Sequence, residues 1–190
     1  GDLLERMVAR YEEMLPSTLP LKQGRVLPHV RAILDSLRGR EDVRSYLLTG
    51  NTRAGARAKL THYDLMQYFP DGAFAQDPGS RASIALRALA LARCGGPVFE
   101  DRVFVVGDTP HDIECANAIA ARTIAVATGG YSLEELLAHR PWRVFAELPP
   151  PSDFLRLLDE SPVSAATTSA ARPSTSAASG PDRSTPASRA

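Results

Sequence analysis

Residues 103 to 121, VFVVGDTPHDIECANAIAA, place two aspartates four positions apart at the end of an aliphatic run. The run shows no polar alternation, as expected of a parallel strand covered on both faces. Asp108 closes that strand. Gly107 before it lets the backbone come close to a ligand, and Pro110 suits the first position of a following helix. Asp112 then falls in the first helical turn, facing back toward the strand end. Two carboxylates at one crevice repel, and a hard divalent cation with oxygen ligands, Mg²⁺ above all, relieves that repulsion. An ordinary reading stands beside this one. An Asp in a first helical turn also caps the helix, worth about 0.5–2 kcal/mol, and for Asp112 capping and metal support are both open.

A second strand end carries a hydroxyl. VRSYLLTGN, residues 43 to 51, is a short β-rich run stopping at Thr49-Gly50-Asn51. Ligands of parallel sheets bind beyond the carboxyl ends of the strands, so Thr49 and Asp108 are expected to face one crevice. His111 reads as a solvent-facing loop residue. The glycines of ATGGYS either cradle phosphate oxygens or make the turn into the next helix.

The elements that must position these residues alternate along the chain. DLLERMVARYEEML, residues 2 to 15, has amphipathic spacing, with Pro16 and Pro20 expected to end it. HVRAILDSLRG follows Pro28, read as a first helical position, and closes at Gly39. TRAGARAKLTHYDLMQYF reads as one helix. PDGAFAQDPGS reads as a loop with a brief strand near Phe74, and RASIALRALALARC as a strongly apolar helix ending at Gly95-Gly96. After VFVVGD come the helix DIECANAIAA, the strand RTIAVATGG, the helix SLEELLAHR, the strand WRVFAEL and the helix SDFLRLLDE. Such alternation predicts an α/β fold with a doubly wound, Rossmann-like parallel sheet. From residue 161 onward the composition turns to Ser, Ala, Thr and Pro, which predicts a disordered tail over 161–190.

Composition bounds the rest. The chain has 190 residues, 44% of them hydrophobic, enough for one α/β domain with a sizeable core. Its formal net charge of zero encodes no broad pull toward nucleic acid or an anionic membrane. The two cysteines, Cys94 and Cys115, lie in helical patterns without metal-ligand spacing and read as buried free thiols in a reducing cytosol. No apolar run approaches the roughly 18 residues that span a bilayer, and no signal peptide is visible, so a cytoplasmic location is expected. The first residue is Gly1 rather than Met, which reads as processing or as a fragment.

Together LLTGN, GDTPHDIECANAIAA and TIAVATGGYSLEELLAHRPWRVFAEL resemble the haloacid dehalogenase superfamily of hydrolases, in particular its phosphoglycolate-phosphatase-like members, over about residues 1 to 159. The resemblance implies that Thr49, with Gly50 and Asn51 beside it, hydrogen-bonds a transferring phosphoryl group of a small phosphorylated metabolite. It makes Asp108 a direct Mg²⁺ ligand, with Asp112 supporting the metal. A cation must neutralise the phosphate: Arg81 sits where the family places it, and Lys59 is the other candidate. These enzymes begin with a strand ending Asp-x-Asp, which supplies the nucleophile and the general acid/base. No Asp-x-Asp pair occurs in this sequence. The resemblance therefore reads residues 1 to 20 as a remnant of a helical cap, 21 to 160 as the core, and the N-terminal segment as lacking, with its strand expected between those ending at Thr49 and Asp108. Two rival readings remain, a phosphomutase or dehalogenase on the same fold, and a non-catalytic binding protein.

Overall fold

The computed structural model of the chain describes residues 2–75 and 80–160. The predicted tail lies outside them. Seven α-helices and five short strands occur among the described residues: α1 Asp2–Thr18, α2 Val30–Arg38, β1 Leu47–Leu48, α3 Arg53–His62, β2 Gly72–Ala73 and α4 Arg81–Cys94, followed by β3 Phe104–Gly107, α5 Pro110–Ala118, β4 Arg122–Val126, α6 Leu133–Ala138, β5 Arg143–Phe145 and α7 Pro151–Asp159.

All strand pairs are parallel, but they form two sheets rather than one. β1 pairs with β2, Leu47 opposite Gly72. β3, β4 and β5 pair in sequence order, Phe104 opposite Arg122 and Ile124 opposite Arg143. Among the described residues no ladder joins β1 to β3. The larger sheet is covered on both faces, because successive residues of β4 point to opposite sides. Ile124 meets Ile33 of α2 and Phe154 and Leu158 of α7. Ala125 meets Ile113 of α5 and Leu136 of α6. Each of these large side chains contributes about 1.5–3 kcal/mol on leaving water. On the second face α4 packs beside α5 and also against β1 and β2. α4 thus touches both the smaller sheet and the helix that follows β3.

Several sequence expectations are corrected. β3 is not covered throughout, since Val106 is 48% exposed. Pro16 does not end α1. It lies inside the helix, whose last turn is held by Ser17 and Thr18 hydroxyls donating to the Met14 carbonyl. Pro28 is not a first helical residue, because His29, at φ 66°, turns the chain left-handed before α2. The long third helix breaks after His62, where Asp64 adopts φ 54°, and resumes only as a 3₁₀ turn at Met66–Tyr68. Cys115 is buried as expected, whereas Cys94 is exposed at the end of α4.

Candidate active site

The turn from β3 into α5 is built by Thr109 and Asp112. Thr109 is the N-cap, its hydroxyl oxygen accepting from the Asp112 N–H at 3.3 Å. Asp112 answers through a single oxygen: Oδ2 accepts from the N–H of Asp108 at 3.1 Å, the N–H of Thr109 at 3.0 Å and the Thr109 hydroxyl at 2.8 Å. This capping box satisfies helix-end donors that would otherwise stay unpaired. Asp112 thus fixes the backbone that presents Asp108. Gly107 makes this possible, because a Cβ there would overlap the Asp112 carboxylate.

Asp108 itself is half-buried. Burial first, and the charge of Asp112 second, push its carboxyl above the usual carboxylate range. Its Oδ2 lies against Gly129, in the loop between β4 and α6.

At the other strand end, the Thr49 N–H donates to the Ala73 carbonyl at 3.1 Å, which continues the β1–β2 register. The Thr49 hydroxyl oxygen accepts from the Asn51 N–H at 3.1 Å, leaving its proton for a ligand. Asn51 turns its side chain locally, Oδ1 accepting from the Thr52 N–H at 2.9 Å, while Thr52 caps α3. Arg81, the first residue of α4, lays its guanidinium against Gly50, so close that a Cβ there would fall 2.6 Å from Cζ. Lys59 is directed elsewhere, its ammonium 5.9 Å from the centre of the Tyr11 ring on α1.

Cys115 connects the two ends. Its thiol donates to the Arg81 carbonyl at 3.4 Å. Burial, then the charge of Asp112, push that thiol above its ordinary range, while Arg81 pulls it down. The structure therefore brings Thr49, Gly50 and Arg81 together at one strand end and Asp108 with Asp112 at the other. His111 faces solvent and pairs with Glu114 at 3.0 Å. Among the described residues no cluster of three or more His, Cys, Asp or Glu occurs. Two carboxylates still suit Mg²⁺, which keeps several waters and takes one or two protein carboxylates beside substrate phosphate. A cation there would also offset the Asp112 charge that raises the Asp108 carboxyl.

Sequence reasoning missed two close approaches. Gly129 against Asp108 and Gly50 against Arg81 are visible in sequence only as glycines just beyond strands. Such glycines have many uses.

Among the described residues no helix is long and apolar enough to cross a membrane. No curated protein matches the chain. Residues 82–149 match the family described as HAD-hydrolase-like. Among solved structures, a haloacid dehalogenase-like hydrolase from Streptococcus pneumoniae aligns at 17% identity and a TM-score of 0.59, covering 70% of this chain and 60% of that one. A predicted phosphoglycolate phosphatase from Haemophilus somnus aligns at 17% and 0.58, covering 72% and 58%. A hydrolase from Pseudomonas syringae aligns at 24% and 0.58, covering 83% and 70%. At such identities the likeness is one of fold, and the chain spans about 60% of the length of the first two proteins. The chain thus has the fold of the haloacid dehalogenase-like hydrolases, and its residues 82–149 carry the sequence pattern of that family.

Proposed function

We propose that these residues form part of a Mg²⁺-dependent phosphatase site for a small phosphorylated metabolite, acting through an aspartyl-phosphate. The observation that carries the reading is the Arg81 guanidinium lying against Gly50, the residue after Thr49, whose hydroxyl keeps its proton. A guanidinium and a hydroxyl at one strand end suit phosphoryl oxygens, and the paired carboxylates at the other suit a divalent cation. Thr49 donates to the phosphoryl group, Gly50 and Asn51 shape the backbone around it, and Arg81 neutralises its charge. Asp108 holds the cation directly. Asp112, its Oδ2 fully engaged, holds Asp108 in place and reaches the cation through water. Bound Mg²⁺ supplies the positive charge that offsets the phosphoryl oxygens. Residues 1–20 belong to a helical cap, and the free thiols fit a cytoplasmic protein.

The 190 residues hold no Asp-x-Asp pair, so on this reading the chain by itself binds phosphate without turning over esters. That absence also favours a second reading, a binding protein without catalysis. Two measurements test the proposal. Inorganic phosphate binding in the presence of Mg²⁺, followed by ³¹P NMR, is expected to weaken about tenfold or more in Arg81→Ala, the scale of removing one charge-assisted hydrogen bond, and to be unchanged in Lys59→Ala. The reverse order moves the phosphate-binding role to Lys59 and overturns the arrangement. With p-nitrophenyl phosphate, turnover that Asp108→Ala abolishes would show that these residues contain their own nucleophile.

A further inference from the structure

The three charged side chains of the candidate site share one feature. Each lies where a glycine's Cβ would otherwise be: Arg81 over Gly50, Asp112 over Gly107, and Asp108 over Gly129. For Gly129 the arrangement carries a specific consequence. Its backbone is not in the left-handed region, where among the described glycines only Gly96 has positive φ. Conformational freedom therefore does not explain a glycine here. Close approach does, because a Cβ on Gly129 would overlap Asp108 Oδ2 and fall 2.9 Å from Cγ.

Both partners in this approach are held by their own backbones. The loop carrying Gly129 is tied down before it by the Ala127 N–H donating to the Phe145 carbonyl at 2.8 Å. After it, Ser132 and Glu135 form a capping box at the start of α6, with Glu135 Oε2 accepting from the Ser132 N–H at 2.8 Å. Asp108 is tied by its N–H to Asp112. Neither main chain is free to yield, so the Asp108 side chain must. On one side it meets Gly129, and on the other the like charge of Asp112.

We infer that Gly129 is a positioning residue: by lacking a Cβ it admits the Asp108 carboxylate and fixes its aim into the crevice. The inference rests on Asp108 being a cation ligand. A methyl group at position 129 rotates the carboxylate away. The atoms it meets are the far end of one side chain, so the loss falls on cation affinity rather than on folding. Gly130 provides the control within the same loop, because nothing lies within 4 Å of a Cβ built there.

The test uses Mn²⁺ as a paramagnetic substitute for Mg²⁺, with the 190-residue chain labelled with ¹⁵N and melting temperatures measured without metal. In the unaltered chain Mn²⁺ is expected to broaden the amide signals of residues 107 to 112, and excess Mg²⁺ to restore them. Gly129→Ala is expected to raise the Mn²⁺ concentration needed by about tenfold or more, the scale of changes to groups that orient a metal ligand. Its melting temperature stays within about 2 °C of the unaltered chain. Gly130→Ala behaves as the unaltered chain in both readouts, and Asp108→Asn abolishes the broadening. Gly129→Ala binding Mn²⁺ normally while Asp108→Asn does not would overturn the positioning role and leave the site intact. A large drop in melting temperature for Gly129→Ala would reduce Gly129 to a packing residue. Unchanged broadening in Asp108→Asn would remove the cation reading itself, and the inference with it.

Discussion

Asp108 and Asp112 are one residue type four positions apart, yet their surroundings predict opposite effects of neutralisation on stability. Asp112 Oδ2 accepts three hydrogen bonds, two of them from backbone N–H groups at the start of α5. Its removal in Asp112→Ala leaves those two donors short of a partner, at about 1–3 kcal/mol each when fully buried. Both are half-buried and water reaches part of the turn, so about 2–3 kcal/mol is expected in total, at or just above the top of the range of single capping losses. For a protein of this size that lowers the melting temperature by roughly 5–10 °C. Asp112→Asn keeps a carbonyl acceptor and loses only the charge, costing about 1 kcal/mol.

Asp108 is the converse case. Burial and the Asp112 charge raise its folded pKa above the unfolded value. Its protonated form is therefore favoured by folding, and that advantage disappears as pH rises through the folded pKa. At neutral pH, without divalent metal, Asp108→Asn relieves a like-charge repulsion worth on the order of 1 kcal/mol in a half-solvated site. It should raise the melting temperature by about 2–4 °C. Below the ordinary carboxylate range the variant and the unaltered chain should converge. Differential scanning calorimetry in EDTA from acid to neutral pH reads both signs, and millimolar Mg²⁺ should then stabilise the unaltered chain but not Asp108→Asn. If Asp108→Asn destabilises the EDTA-treated protein as much as Asp112→Asn, Asp108 is a second structural cap and the electrostatic argument fails.

Cys94 is exposed, while Cys115 is buried and its thiol is pushed upward in pKa, so iodoacetamide near neutral pH should modify Cys94 first and Cys115 only after unfolding, as peptide mass spectrometry will show. Asp71, held below the usual carboxylate range by the Gly72 N–H and then by Arg53, and Glu135, held there by the Ser132 N–H and then its hydroxyl, contribute stability above their unfolded pKa values and lose it as pH falls. Asp71→Asn and Glu135→Gln should therefore lower the melting temperature at about pH 7 and not below about pH 3; equal losses at both would contradict the assignment. Ile124→Ala, at a fully buried position between two covering helices and the sheet, should cost about 3 kcal/mol in urea denaturation.

The parts of the fold that were legible in the sequence are those fixed by local chemistry. Pro110 and Asp112 mark the start of α5 because first helical residue and first-turn acid each have one natural place, with Thr109 capping them in the structure. The helix SLEELLAHR is likewise legible in place, and in the structure Ser132 and Glu135 cap its start. What escaped depends on neighbours distant in sequence. VFVVG reads as covered on both faces, yet Val106 is exposed, since an apolar run does not reveal which of its faces has a partner. Whether the strands form one sheet or two is likewise a matter of pairing, and the aliphatic pattern of β1 and β3 is silent on it.

The candidate site divides along the same line. Asp108 and Asp112 stood out because strand end and helix start are only four residues apart, so local spacing sets their geometry. Between Arg81 and Lys59, only the family resemblance favours Arg81; as cations on helices the two look alike. Packing separates them: α4 begins against β1 and delivers Arg81 to Gly50, while α3 lies beside α1 and takes Lys59 to Tyr11. The glycines explain why that delivery works. Gly50, Gly107 and Gly129 each stand where a charged side chain must cross close to another segment of backbone. At each of these crossings a Cβ would hold the charged side chain and the facing backbone apart. Leaving out the Cβ at those three crossings lets the Arg81 guanidinium lie against Gly50, and the Asp112 and Asp108 carboxylates against Gly107 and Gly129, without displacing the backbone there.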